Sequence, residues 1–255
     1  MKAVSFAILA LVLVPASAVA AAAPSASSSG KFTGKGQLGF LASQGNAQGK
    51  SANVALDLSY VIGPWKHILD LTGLYGQSQG IVSAERWTAL WQTNRSISAD
   101  AFAFGSLRYE HDMFDGFQYQ RSLSAGLGYT VLKSKSITLS TQLGAGYMMS
   151  RPELLVRNAH GAVVERVPLL DQNYAIATAG VDYDQKITST TTITDKLLVD
   201  AGSQNTLFTN QLAFVVKIST KLAMSLGYNI QDNTRPPAGI KSLNSTEMVN
   251  LVYAF

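Results

Sequence analysis

From Lys31 to Phe255 the dominant repeat along the chain is two residues, apolar then polar, which is the side-chain period of a β-strand. Ile137, Leu139, Thr141, Leu143, Ala145, Tyr147 and Met149 share one face of one stretch, with Thr138, Ser140, Gln142, Gly144 and Gly146 on the other. Leu123, Ala125, Leu127, Tyr129 and Val131 oppose Ser122, Ser124, Gly126, Gly128 and Thr130 in the same way. Leu222, Met224, Leu226, Tyr228 and Ile230 oppose Lys221, Ala223, Ser225, Gly227 and Asn229. These runs outlast the roughly five or six residues of an ordinary soluble strand. A soluble sheet also alternates, but its exposed face is rich in Lys, Glu and Arg. Here the polar face is Gly, Ser, Thr, Asn and Gln, which suits a crowded, hydrated lumen, while the apolar face suits lipid. Lipid cannot satisfy an open sheet edge, so the strands must close on themselves. The pattern therefore predicts an all-β fold, a transmembrane antiparallel up-and-down β-barrel.

Twelve segments carry the alternation: 31–43, 49–62, 65–78, 84–97, 100–112, 117–131, 136–150, 171–186, 190–201, 204–218, 220–231 and 243–255. Connections after even-numbered segments are tight, as at Gly63-Pro64, Ser98-Ala99, Leu132 to Lys135, Ile187 to Ser189, and Ser219. Those after odd-numbered segments include Arg151 to Leu170, Asp232 to Ser242, Gln79 to Ser83 and Met113 to Gly116. That asymmetry, with an even strand count, places both termini at the short-turn end, on the periplasmic side. Two segments strain the pattern. Phe102 and Phe104 share a parity with Arg108, Glu110 and Asp112, so a bulge or a mixed lumen face is expected; Asp195 shares a face with Ile193, Leu197 and Val199, which turns a carboxylate toward lipid. Tyr60, Trp65, Trp87, Trp91, Tyr109, Phe117, Tyr119, Tyr174 and Tyr183 are the expected interfacial girdle.

Composition explains why the barrel is the economical solution. The chain has 255 residues, 47% hydrophobic and only 14% charged, with 21 Gly and no Cys. It is too apolar to be disordered, and without Cys it has no thiolate zinc site, iron–sulfur cluster or disulfide scaffold. The charged fraction falls below the roughly 25% of soluble domains, yet no internal run of about 18 apolar residues supplies a spanning helix. A formal net charge of +4 is scattered, with no basic run to recruit nucleic acid.

The two ends carry biogenesis signals. Lys2, the apolar stretch Ala3 to Val14, Pro15 and the small residues that follow have the layout of a secretory signal peptide over 1–20, with cleavage after Ala18 or Ala20. Residues 21–30, AAAPSASSSG, form a flexible lead-in to a barrel over 31–255. At the other end Val249, Leu251, Tyr253 and Phe255 alternate up to the last residue. This resembles the C-terminal assembly signal of Gram-negative outer-membrane barrels, read by strand addition, and implies periplasmic chaperones and the barrel-assembly machinery as partners, with the cell outer membrane as destination.

Leu38 to Tyr60, LGFLASQGNAQGKSANVALDLSY, with a turn at Gln44-Gly45-Asn46, and Tyr109 to Tyr129, YEHDMFDGFQYQRSLSAGLGY, together resemble the salt-induced outer membrane protein family, also called domain-of-unknown-function family 481. The resemblance spans about 33 to 255 and departs from the family at Met113, where an arginine is common after Asp112. It implies location and fold more firmly than activity.

Candidate chemistry is sparse. Gly45-Asn46 and Asp115-Gly116 are turn formers. Lys35, Asp57, Arg86, Lys196 and Lys217 are candidate lumen charges, and Arg108, Glu110, His111, Asp112 and Arg121 a candidate rim group, read first as surface ion pairs against lipopolysaccharide phosphates and otherwise as a cation or saccharide site. The histidines, His67, His111 and His160, lie in no His-Ser or Gly-x-Ser-x-Gly context and have no metal spacing, so no catalytic residue, metal or cofactor is expected. The expectation is a monomeric, non-enzymatic barrel contacting lipid and lipopolysaccharide, with a structural or envelope-stress role. In that reading interlocking lumen side chains, or the apolar loop Arg151 to Leu170 as a plug or cap, close the barrel; the rivals are a narrow pore for small polar solutes, with the lumen charges as filters, and an outer-membrane lipid hydrolase.

Overall fold

A computed structural model describes residues 30–43 and 48–255. The expected leader with Ala18 and Ala20, the lead-in up to residue 29 and the turn Gln44-Gly45-Asn46 lie outside them. The strands are β1 (Lys31–Ser43), β2 (Gly49–Ile62), β3 (Trp65–Ser78), β4 (Ile81–Ser96), β5 (Ala101–Asp112), β6 (Phe117–Lys133), β7 (Ile137–Arg157), β8 (Val163–Pro168), β9 (Gln172–Lys186), β10 (Thr191–Gly202), β11 (Thr206–Lys217), β12 (Leu222–Asn233) and β13 (Leu243–Ala254). Each pairs antiparallel with its neighbour in sequence, except that β7 pairs with β6 and β9 while β8 only folds back on β7. With β1 against β13, twelve strands close a barrel and β8 stands outside it.

The closing seam differs from the rest. β1 and β2 share thirteen register pairs from Lys31↔Val61 to Ser43↔Gly49, whereas β1 and β13 share four, Lys35↔Ala254 to Leu38↔Leu251. The reciprocal backbone bonds between Gly34 and Phe255, each 2.9 Å, extend it by one. Phe255 also meets Phe32 and Tyr253 with ring centroids 6.3 Å apart, so the terminal aromatic clamps the start of β1 from outside.

Register fixes the two faces. Val249, Leu251, Tyr253, Leu123, Leu127, Leu143 and Met224 are exposed on the outer face, as a lipid-facing wall requires. The inward face is not uniformly small and polar. Phe102 and Phe104 point inward with Arg108, Glu110 and Asp112, and the ladder shifts register between Glu110 and Asp112. The lumen glycines make room for them: a Cβ on Gly128 would overlap the Phe102 ring, and one on Gly144 would sit 3.0 Å from Phe104. Met148, Tyr174, Ile176 and Leu207 form a buried apolar cluster inside the barrel, toward the long-loop end. Tyr174 and Phe117 are thus buried and are no part of an outer girdle. Asp195 does face outward, held by a 2.6 Å hydrogen bond from Asn210 Nδ2.

Two connections depart from expectation. Gln79-Gly80 is a tight turn with both φ positive, 50° and 82°, the geometry of a hairpin turn that follows the strand twist, so β4 begins at Ile81. Arg151 to Leu170 is no loop: β7 runs on past the barrel and returns as β8. Its apolar side chains remain largely open, Leu170 being 88% exposed, so they do not pack down as a plug.

Candidate functional site

The inward residues near the long-loop end form a sealed polar layer. On β5 the two-residue period turns Arg108, Glu110 and Asp112 to the lumen, and Arg86 joins them from β4 as the register partner of Asp112. Arg86 is ion-paired with Asp112 and Arg108 with Glu110; Arg86 Nε also lies 3.9 Å from Glu110. Met113 to Gly116 turns the chain, with Gly116 at φ 78°, a value that favours glycine, and tucks Asp115 under the turn. The backbone N–H of Phe117 donates to Asp115 Oδ1 at 2.9 Å and that of Phe114 to Asp112 Oδ1 at 2.8 Å.

This layer reaches across the barrel. Gln231 Nε2 on β12 donates to Glu110 Oε1 at 2.7 Å, and β12 stands six strands from β5 in either direction round the ring. Gln120, the register partner of Glu110, donates to Asn233 at 3.3 Å, which also accepts from Asn205 at 2.6 Å. Nearer the short-turn end, Lys196 on β10 donates to Asp70 on β3 at 3.1 Å, again between strands six apart. Twelve strands about 4.8 Å apart and tilted by about 40° would form a round barrel roughly 24 Å across. Two extended side chains and one hydrogen bond span only about 13 Å. The barrel is therefore flattened along both bridges.

Burial then grades along the lumen. Glu110, Asp112, Asp115, Gln120, Asp200, Gln231 and Asn233 are all buried, whereas the inward Asp182, Asp184 and Lys196 are exposed to water. The lumen opens toward the termini and shuts toward the long connections. Above the seal, loops from opposite sides meet: a Cβ on Gly116 would lie 2.8 Å from Ile240 and 3.0 Å from Pro237.

Three carboxylates, Glu110, Asp112 and Asp115, crowd beside the two guanidinium groups here. Burial, and then the charges of Asp112 and Glu110, push the Asp115 carboxyl well above the usual carboxylate range. Its Oδ2 has no hydrogen-bond partner. Glu110, Asp112 and Asp115 each offer an oxygen within 4.8 Å of the others, a spacing that could hold a metal ion, but Glu110 and Asp112 already have cationic partners in Arg108 and Arg86.

The expected rim group divides. Arg108, Glu110 and Asp112 come together, buried inside and not as surface pairs. His111 and Arg121 lie on the outer face: His111 packs 5.7 Å from Trp87, and the Arg121 guanidinium stacks 4.1 Å over Tyr119. Of the expected lumen charges, Arg86 belongs to the seal. Lys35 pairs with Asp57 at 3.6 Å, Lys196 bridges to Asp70, and Lys217 faces inward near the short-turn rim. Asp115, Gln120, Gln231, Asn233 and Asn205 were not singled out as site residues. In sequence Gln231 has only lumen parity and Asn233 falls in the expected connection Asp232 to Ser242, so nothing local tells which opposing strand they meet.

No curated protein matches the chain. Among solved structures it is similar to the NanC porin (9% identity, 88% of this chain and 98% of that one, TM-score 0.47). It is also similar to the translocator domain of the autotransporter NalP from Neisseria meningitidis (12%, 88% and 87%, 0.45) and to the KdgM porin (8%, 88% and 99%, 0.43). Over residues 36–255, nearly the whole barrel and both sides of the seal, the chain matches the model of the family described as protein of unknown function, DUF481, and belongs to that family.

Proposed function

We propose that this chain is a non-enzymatic, integral barrel of the Gram-negative outer membrane, exported by its N-terminal leader and serving envelope integrity under stress with its lumen shut. The observation that carries this reading is the Glu110–Gln231 hydrogen bond, which joins opposite walls within a buried polar layer. A shut barrel contributes a rigid wall and an outer face for lipid and lipopolysaccharide. The second reading, a narrow pore closed in this state, draws support from the water-exposed Asp182, Asp184 and Lys196 below the seal.

Planar-bilayer recording of the purified protein tests it. The wild type should show no steady single-channel steps, and Glu110→Ala combined with Gln231→Ala should add them. Steady steps from the wild type would replace the structural reading with the pore. Lipid hydrolysis in detergent micelles, abolished by one Ser or His substitution, would replace both.

A further inference from the structure

Over the seal lies a cavity of about 480 Å³ that the shut barrel does not use. Four connections build it: the β3–β4 turn, the β5–β6 turn at Phe114, the β7–β8 tip at Arg157 to Gly161, and the β12–β13 connection at Ile240 and Lys241. Its charged lining is of one sign. Arg157 and Lys241 charge the wall beside His160, and among the described residues no carboxylate lines it. Glu153, beneath the β7–β8 hairpin, accepts from Arg166 at 2.6 Å, and Asp115 is buried beneath the β5–β6 turn. Arg157 is held in place, donating to the Gly161 carbonyl at 3.0 Å and lying 5.9 Å over the Phe114 ring. The remaining wall includes Phe114, Ile81, Val82 and Ile240, a surface suited to an apolar body.

We propose that this cavity binds a small organic anion, a carboxylate or related acid carried on an apolar or aromatic body. Cations brought together without counter-charges attract an anion, and a guanidinium pairs a carboxylate through two parallel hydrogen bonds. The inward-facing Ser78 and Asn244 also line the cavity, so it opens over the lumen and not on the lipid face, and the ligand comes from the medium rather than the bilayer. Phe114 and Ile240 belong to the two loops that meet over the seal, so a bound anion sits at their junction. Binding requires neither an open nor a shut lumen.

Fluorine NMR of para-fluorobenzoate with the protein in lipid nanodiscs tests this, with the neutral para-fluorobenzyl alcohol as the matched probe. The acid should bind saturably and the alcohol at least about tenfold more weakly. Arg157→Ala combined with Lys241→Ala should weaken the acid by about tenfold or more. Ile240→Trp, which fills the space without removing charge, should abolish binding, and Lys221→Ala at the opposite end should leave it unchanged. Equal binding of acid and alcohol, no binding of the acid at millimolar concentration, or full binding by both cavity variants in barrels that keep their heat-resistant gel mobility overturns the proposal.

Discussion

Asp115 shows how one carboxyl balances a buried charge group. Its native pKa is raised by burial and by Asp112 and Glu110, so the folded barrel holds its proton more tightly than the unfolded chain does. The sign follows from linkage: below the ordinary aspartate range both states are protonated and the residue costs nothing, whereas the barrel loses stability as pH rises through the native value. Asp115→Asn keeps the oxygen that accepts from Phe117 and removes that loss. It should raise the urea midpoint of the barrel at pH 8 and leave it near wild type at pH 4, checked by denaturant titration in the same detergent at both values. In sequence, Asp115-Gly116 announced only a turn, which it is. Its charge role depends on Arg86, Arg108 and Glu110 lying on the lumen side of neighbouring rungs, a fact of side-chain direction that a spacing of two residues allows but does not select.

The β7–β8 hairpin is the element that sequence described least well. The apolar content of 151–170 pointed to something packed, and the chain instead prolongs the barrel wall into a hairpin whose apolar side chains stay open. Its apolar residues come in consecutive runs, Leu154 to Val156 and Val163-Val164, without the strict alternation of the twelve barrel segments, and no turn pair marked the reversal near Asn158 to Gly161. The segments themselves were legible because lipid on one side and lumen on the other impose opposite chemistry at every second residue. The seal beneath the hairpin is made by wall residues, Glu110 with Gln231 and Gln120 with Asn233, so the hairpin is not the stopper. Replacing residues 157–163 by a short Gly-Ser turn should leave the folded barrel within about 1 kcal/mol of wild type and still silent in planar bilayers, while para-fluorobenzoate binding is lost. Conductance gained by that deletion would reassign the seal to the hairpin.

At the scale of the whole molecule, the ring is uneven. Eleven of its junctions are long ladders and one, β1 with β13, has four register pairs, so breathing of the wall should start there. Gln37 and Val252 are register partners on the inward side of that junction, and the chain contains no other thiol to interfere. Oxidised Gln37→Cys with Val252→Cys should raise the unfolding free energy by about 3 kcal/mol, read from the denaturation midpoint with and without reductant. The same staple between Gln37 and Ala55 on β2 should add less, because thirteen register pairs already hold that junction. Closure of the ring was foreseeable because lipid cannot satisfy an unpaired strand edge, and the terminal Phe255 marked the last strand. The uneven strength of the junctions was not foreseeable, since it depends on where two distant segments come to lie side by side.

The bridges between opposite walls carry a geometric consequence. A belt of fixed length encloses most area as a circle and little when squeezed, and backbone bonding sets the belt while side chains set the squeeze. Releasing Glu110 from Gln231 and Lys196 from Asp70 would let the oval relax toward a circle with every rung of the ladder intact. The same staves would then surround a wider hole, so for this molecule calibre is a matter of outline and not of the number of strands.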